Sequence, residues 1–282
     1  MSNQNPEKSP RVSPDILRWQ PSRWDLFVGN KQIIKQFKRM VEQIRSNMVV
    51  GGKKNFNQPS ILLVGPSRSG KTALVKFFIR CVHCKEINSF TLNPCDGSCS
   101  TCLQQPEFFG LEGLFSILGP VVQQIPIDTG IVDCTMIQTP EELRKKLWSL
   151  TESNVISIVY FDEVHRLVKR NMDEMLLKAV EDFSRLWIFS TANPGELEVM
   201  FLNRLLKLKT ECPEEEELGL WLADRCEEWG INWEPEAISR VVEKSNLIVG
   251  TALHALALAS LDPKKRLTLD LVENEWMVNL DE

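Results

Sequence analysis

The sequence predicts an α/β fold in which helices cover both faces of a parallel sheet and a smaller helical module follows. Short apolar runs at 60–64, 155–161 and 186–189 are typical of buried parallel strands. From residue 211 onward the apolar residues recur at helical spacing. A length of 282 residues suits one large domain joined to such a module.

A glycine-rich loop follows the first predicted strand. Residues 65–72 read GPSRSGKT, which fits the phosphate-binding pattern G-x-x-x-x-G-K-[ST], and an amphipathic helix follows. Backbone N–H groups of the loop are expected to face nucleotide phosphates, Lys71 to reach the β- and γ-phosphates, and Thr72 to ligate Mg²⁺. The alternative is a glycine-rich turn with an exposed lysine. The predicted nucleotide contacts are Gly65, Pro66, Ser67, Arg68, Ser69, Gly70, Lys71 and Thr72.

Two acidic residues end the second apolar run. Asp162 is predicted to hold Mg²⁺ together with Thr72, and Glu163 to act as the base that activates water. The alternative for such a pair is a helix N-cap with a favourable dipole contact. His165 is predicted to be a packed residue and not a metal ligand.

Polar residues also end the third apolar run, at 190–193. Thr191 and Asn193 are the candidates for sensing the γ-phosphate or placing the attacking water, and the residues alone do not choose between them. A plain strand-end turn before Pro194 is the alternative.

Composition excludes several classes of protein. A net charge of -5 with a pI near 5.5 excludes a globally basic nucleic-acid binder, so any DNA contact must use a local basic face. No apolar run approaches the roughly 18 residues of a membrane span. The polar N-terminus, 1–14, is expected to be a disordered tail and not a signal peptide, which points to the cytoplasm.

Three segments carry a resemblance to a known family. YFDEVHRL, IFSTANP and FLNRLLKL resemble the gamma/tau ATPase subunit of bacterial DNA polymerase III clamp loaders, a member of the AAA+ superfamily. The resemblance implies a P-loop AAA+ fold with a helical lid, ATP hydrolysis in an oligomer, and DNA and a sliding clamp as partners. RWQPSRWDLFVGN, at 18–30, resembles the family segment over the adenine, which implies contacts from Trp19 and Val28. Gln20 stands where the family has arginine.

The cysteines also fit this family, which has a zinc module after the phosphate-loop helix, although one spacing here is longer by a residue. Five of the eight cysteines lie between Cys81 and Cys102. Four thiolates can coordinate zinc tetrahedrally. Cys81 and His83 are further candidate ligands, but Cys81 lies on the apolar face of its helix, which favours a place in the core. The alternative is a set of reduced, non-ligating thiols. The predicted zinc ligands are Cys84, Cys95, Cys99 and Cys102.

The resemblance further implies an arginine that acts on the neighbouring subunit. Arg204 matches the arginine of the family's SRC motif, although NRL stands in place of SRC. The alternative is a surface arginine at a helix C-terminus. Leu253 stands where the family lid carries an arginine toward the γ-phosphate. The family's collar domain has no counterpart before residue 282, so assembly is expected to rely on the ATPase domains, DNA or a partner.

The predicted organisation is a tail at 1–14, a nucleotide-binding domain at 15–209 with a zinc module near 81–104, and a lid at 210–282. The apolar segment 108–130 has no predicted function. The predicted activity is that of an AAA+ ATPase, with ATP, Mg²⁺ and Zn²⁺, that assembles on DNA and loads or recruits a partner protein. The alternative is an ATP-dependent scaffold or matchmaker that hydrolyses little, for example in a mobile element or defence system.

Overall fold

A five-stranded parallel sheet confirms the predicted fold class. The computed structural model describes residues 16–51, 58–103, 130–152, 158–170, 172, 174–181 and 185–276. The predictions for the tail at 1–14 and for the apolar segment up to residue 129 lie outside the described residues. The strands are β1 Ile61–Val64, β2 Gly130–Asp133, β3 Ile158–Asp162, β4 Leu186–Thr191 and β5 Leu206–Lys209. Their order in the sheet is β2-β3-β4-β1-β5.

Helices cover both faces of this sheet, as predicted. The helices are α1 Lys31–Gly51, α2 Lys71–His83, α3 Ser100–Leu103, α4 Pro140–Glu152, α5 His165–Val168, α6 Glu174–Val180 and α7 Val199–Leu202. Successive strand side chains point to opposite faces of the sheet. Tyr160 therefore lies in the core under α1 and α2, while Phe161 lies in the core under α4 to α7. The strand ends carry polar groups between these two apolar layers.

The contacts divide the chain into two compact units. The described residues between 20 and 211 form the unit that holds the sheet, and residues 16–19 join 212–276 in a second, helical unit. Residues 16–19 thus pack with the helical unit, whereas the sequence pattern places them in the nucleotide-binding domain. None of the described helices is long and apolar enough to cross a membrane.

The described part of the helical unit contains three α-helices and a small parallel strand pair. Its elements are α8 Glu215–Trp229, α9 Pro235–Lys244, α10 Val249–Leu261, β6 Asn232–Trp233, β7 Arg266–Leu267 and a π-helical turn at Leu271–Glu275. The left-handed Gly230 ends α8. Trp19 packs edge-on against Trp221 and Trp229, with ring centroids 5.8 and 5.7 Å apart.

The segment TLDLVENEWMV, whose apolar residues recur at helical spacing, is helical from Leu269 to Glu275 in its described part. The Leu269 N–H, which has no partner within the helix, donates to the Glu234 carboxylate. The Val272 N–H donates to the Thr268 carbonyl at 3.1 Å. The Trp276 N–H then donates to the Leu271 carbonyl, so the helix ends in a wide π turn.

Candidate functional site

The phosphate loop lies at the carboxyl end of β1 and is tied to the strands on both sides. The Gly65 N–H donates to the Thr191 carbonyl at 3.1 Å, and a Cβ at position 65 would overlap the Thr210 side chain. Gly70, with φ of 88°, and Arg68, with φ of 63°, adopt left-handed conformations. The curled loop leads directly into the N-terminus of α2, which is a favourable position for an anion.

Lys71 opens α2 and is almost fully buried. Its amine donates to the carbonyls of Gly65 and Pro66, both at 2.8 Å. Burial lowers the pKa of Lys71, and the nearby Glu163 and Asp162 carboxylates oppose that effect. The amine therefore lies inside the loop curl, close to the acidic end of β3.

Thr72 and Asp162 meet, as the predicted magnesium site requires. The Thr72 hydroxyl donates to Asp162 Oδ2 at 2.7 Å. The other oxygen, Oδ1, accepts from the Tyr160 hydroxyl at 2.8 Å, from the Glu163 N–H at 3.1 Å and from the Ser190 hydroxyl. Burial, and then the Asp162 charge, raise the pKa of Tyr160 well above its ordinary value, so the phenol remains a donor.

Sequence reasoning did not assign the roles of Tyr160 and Ser190. Tyr160 precedes Asp162 by two residues, so the strand period of two places both side chains on the same face. Ser190 reaches them because Phe161 pairs with Phe189 in the parallel ladder, which aligns the next residue of each strand. The placement of Tyr160 beside Asp162 can be predicted from the strand period, but the placement of Ser190 depends on how β3 and β4 pair.

Glu163 and Thr191 meet at a buried histidine. His165 Nδ1 lies 3.2 Å from Glu163 Oε2 and 3.1 Å from Thr191 Oγ1. Burial lowers the pKa of His165, an effect that Glu163 opposes. Glu163 has a φ of 55°, a conformation uncommon for a residue with a side chain. Asn193 is exposed, and its N–H donates to Thr191 Oγ1 at 3.0 Å.

The segment before α1 contacts the phosphate loop through Asn30. Its side-chain amide donates to the Ser69 carbonyl at 3.3 Å, and its Oδ1 accepts from the Glu211 N–H at 2.9 Å. Val28, a predicted adenine contact, is buried. Trp19, the other predicted contact, packs in the helical unit. The adenine contacts of Val28 and Trp19 therefore remain predictions.

The four predicted zinc ligands come together. One ligand atom from each of them lies within 4.8 Å of all the others, and Cys84 Sγ is 4.0 Å from Cys99 Sγ. Tetrahedral zinc with Zn–S bonds near 2.3 Å needs sulfur atoms about 3.8 Å apart, so the donor set and its spacing fit zinc. Cys81 lies instead in the apolar core, where burial raises its pKa. The cluster members are Cys84, Cys95, Cys99 and Cys102.

Hydrogen bonds support the cluster. Although burial opposes it, backbone N–H groups of Cys102 and Lys85 help lower the pKa of Cys99 to about 6, whereas burial raises the pKa of Cys84 and of Cys102. The thiolate is the form that binds metals.

Trp24 attaches the cysteine module to the rest of the domain. Its indole N–H donates to the Leu92 carbonyl and its backbone N–H donates to Asn93 Oδ1, both at 2.9 Å.

Arg204 lies at the opposite end of the sheet from the phosphate loop. It precedes β5, whose first N–H, that of Leu206, donates to the carbonyl of Ser60 just before β1. A strand of four residues spans about 13 Å, which separates Arg204 from the carboxyl ends of the strands in its own chain. The Arg204 Nε lies 2.9 Å from Glu181 Oε1, and the side chain is 39% exposed.

The strand order, the phosphate loop and the acidic strand end define a P-loop nucleotide-binding fold. A family model described as the ATPase family associated with various cellular activities (AAA) matches residues 61–210, which is more than half of the chain. The chain therefore belongs to the AAA ATPase family.

One relative is named as a DNA replication protein. The ORC1-type DNA replication protein 1 of Sulfurisphaera tokodaii is 30% identical over 144 residues, which cover 51% of this chain and 31% of that protein. The chain thus spans about a third of the length of that relative.

Structures of RuvB from Thermotoga maritima show a similar fold. The Holliday junction branch migration motor is 17% identical, with a TM-score of 0.55 over 91% of this chain and 71% of that one. A mutant of the same protein has the same identity and TM-score over 90% and 71% of the two chains. At this identity the likeness concerns the fold alone.

Proposed function

We propose that this chain is an ATP-hydrolysing AAA+ switch that assembles on DNA and loads or recruits a partner protein, in the manner of a clamp loader. The contact between the Thr72 hydroxyl and Asp162 Oδ2, beside the buried Lys71 amine, is the observation that carries the proposal. In a P-loop ATPase, this triad binds the phosphates and Mg²⁺.

The residues present fit magnesium. Because the Thr72 O–H donates to Asp162, the lone pairs of the Thr72 oxygen stay available as a hard ligand, and Asp162 supplies a carboxylate. Bound Mg²⁺ would neutralise charge that develops on the phosphates. Glu163 is the proposed base for the attacking water. The contacts of His165 with both Glu163 and Thr191 support a proposed role for Thr191 in orienting this base.

The proposal that DNA is a partner is supported by the kinds of protein that are similar to this chain. One is named as a DNA replication protein and another as a Holliday junction motor. Exposed basic side chains on α4, Arg144 and Lys145, offer a local cationic surface, and both pair with Glu141. A phosphate backbone would compete for these cations, and such binding weakens as salt rises.

Zinc is the proposed occupant of the cysteine cluster. Four sulfur donors in a buried setting favour Zn²⁺ over the hard cations Mg²⁺ and Ca²⁺. The cluster begins where α2 ends, at Cys84, whose carbonyl accepts from Arg45 at 2.8 Å. Its proposed role is structural, because it orders a loop that has little apolar core of its own.

The ATP site is proposed to be shared between neighbouring chains, with Arg204 acting in trans. The support is its place at the far end of the sheet and its partial exposure. An arginine supplied by a neighbour stabilises the charge of phosphoryl transfer and is worth about 10³- to 10⁵-fold in rate.

Mixing two inactive variants tests the shared site. We expect Lys71→Ala and Arg204→Ala to be inactive alone, while a mixture in equal amounts recovers phosphate release. Random mixing places an intact Lys71 beside an intact Arg204 of the next chain at roughly a quarter of the interfaces. Phosphate release is measured with and without duplex DNA, and DNA is expected to raise it.

Arg240→Ala is the matched control, because it also removes an arginine from surface ion pairs with glutamates. Arg240→Ala should release phosphate at the wild-type rate on its own, without a second variant in the mixture. A mixture that stays inactive although each variant still assembles would contradict action in trans, and wild-type phosphate release that is unchanged by DNA would contradict the DNA-dependent switch.

A hydrolysis-poor scaffold is the second candidate function. Leu253, at the position of the family's lid arginine, lies half-buried on α10 and has no charge to offer a phosphate. This observation favours weak coupling between ATP and the lid. The paired carboxylates Asp162 and Glu163 favour hydrolysis, and phosphate release by the wild-type chain separates the two functions.

A further inference from the structure

We infer that Tyr160 is a positioning residue of the magnesium site, in which its hydroxyl, aided by that of Ser190, fixes the carboxylate of Asp162. This inference rests on the proposed function. Tyr160, in the middle of β3, and Ser190, near the carboxyl end of the adjacent β4, are both fully buried. Their hydroxyl oxygens lie 3.0 Å apart and both contact Asp162 Oδ1.

The contacts divide the Asp162 carboxylate into two oxygens with different tasks. Oδ1 accepts from Tyr160, from Ser190 and from the Glu163 N–H, which occupies its lone pairs. Oδ2 accepts from Thr72 at 2.7 Å and is the oxygen directed toward the phosphate loop. The carboxylate therefore cannot rotate without breaking several hydrogen bonds, which presents Oδ2 to a cation.

The position of the phenol indicates a role beyond packing. The ring lies in the apolar core under α2, where phenylalanine would serve equally well. The hydroxyl extends past that core and lies 2.8 Å from Asp162, 3.0 Å from Ser190 and 3.3 Å from Thr72. Two of these three neighbours are the proposed Mg²⁺ ligands. Groups that orient metal ligands affect metal affinity about 10- to 100-fold when they are removed.

A magnesium titration of ATP binding tests the role of the hydroxyl. With Tyr160→Phe we expect half-maximal ATP binding to need about tenfold more Mg²⁺ than in the wild type. ATP affinity in the presence of EDTA should not change, because Lys71 and the loop remain. Ser190→Ala should shift the Mg²⁺ requirement in the same direction.

Ser60→Ala is the matched control. Ser60 is a buried serine at the opposite end of β1, and its hydroxyl contacts the Val180 carbonyl. Its variant should keep the wild-type Mg²⁺ requirement. An unchanged Mg²⁺ requirement in Tyr160→Phe, alongside Mg²⁺-dependent ATP binding by the wild type, would overturn the inference alone. A wild-type chain that binds no Mg²⁺–ATP would overturn the proposed function, and the inference with it.

The wild-type sequence allows a second measurement without any substitution, because Tyr160 is the single tyrosine of the chain. Incorporated 3-fluorotyrosine thus gives one ¹⁹F resonance, located at the proposed metal site. Addition of ATP with paramagnetic Mn²⁺ should broaden this resonance strongly, whereas ATP with Mg²⁺ should only shift it. A resonance that stays sharp at saturating Mn²⁺–ATP would place the metal away from Tyr160 and overturn the inference.

Discussion

Glu163→Gln is expected to lower phosphate release from ATP by about 10²- to 10⁴-fold while ATP affinity stays within about twofold of the wild-type value. The amide has the shape of the carboxylate and can keep the contact with His165 Nδ1, but it cannot take a proton from water. The loop and Lys71, which bind the phosphates, are not altered. Steady-state phosphate release and calorimetric ATP titration are the two measurements.

Glu196→Gln is the matched control. Glu196 lies in the 3₁₀ turn after β4 and pairs with Lys169 at 3.4 Å, and it contacts none of the proposed phosphate or metal ligands in the described contacts. This variant should turn over at the wild-type rate. If Glu163→Gln retained wild-type turnover, Glu163 would not be the base, and the interpretation of its contact with His165 would be wrong.

Loss of one cluster cysteine is the second large expected effect. We expect the purified wild-type chain to contain about one zinc per chain and Cys99→Ser to contain almost none, because three thiolates leave the tetrahedral site open. Loss of a structural metal is among the most destabilising single changes, at about 4 kcal/mol or more. For the sheet-bearing unit this corresponds to a melting temperature lower by about 10 °C.

Two other cysteines separate zinc loss from general damage. Cys212→Ser changes an exposed thiol outside the cluster and should preserve both the zinc content and the melting temperature. Cys81→Ser places a hydroxyl in the apolar core and should destabilise the fold while zinc remains. Metal analysis that finds equal zinc in the Cys99→Ser and wild-type chains would contradict the four-cysteine site.

The parts of the site that could be predicted are those with short-range sequence signals. The phosphate loop requires a strand, a glycine-rich turn and a helix in immediate succession, and residues 60–83 contain all three. The zinc cluster was predicted for a similar reason, because three of its cysteines lie within eight residues and the fourth ends α2. The meeting of Thr72 with Asp162 was predicted because carboxyl ends of parallel strands share one edge of a sheet.

The parts that could not be predicted depend on long-range pairing. Ser190 reaches Asp162 only through the register of β3 against β4. Asn30 reaches Ser69 across 39 residues of sequence. In the helical unit, β6 and β7 are two-residue strands that are too short to show a period. Trp19 also belongs to that unit because two distant tryptophans form its contact surface, which no local pattern signals.

Calorimetric titration with ATP in the presence of Mg²⁺ tests most directly whether a nucleotide binds between Lys71 and Asp162. We expect the wild-type chain to take up about one nucleotide per chain, and Lys71→Ala to weaken that binding by about tenfold or more, because a buried amine is lost from the phosphate loop. Absence of nucleotide uptake by the wild-type chain, or equal affinity in Lys71→Ala, would contradict the proposed site.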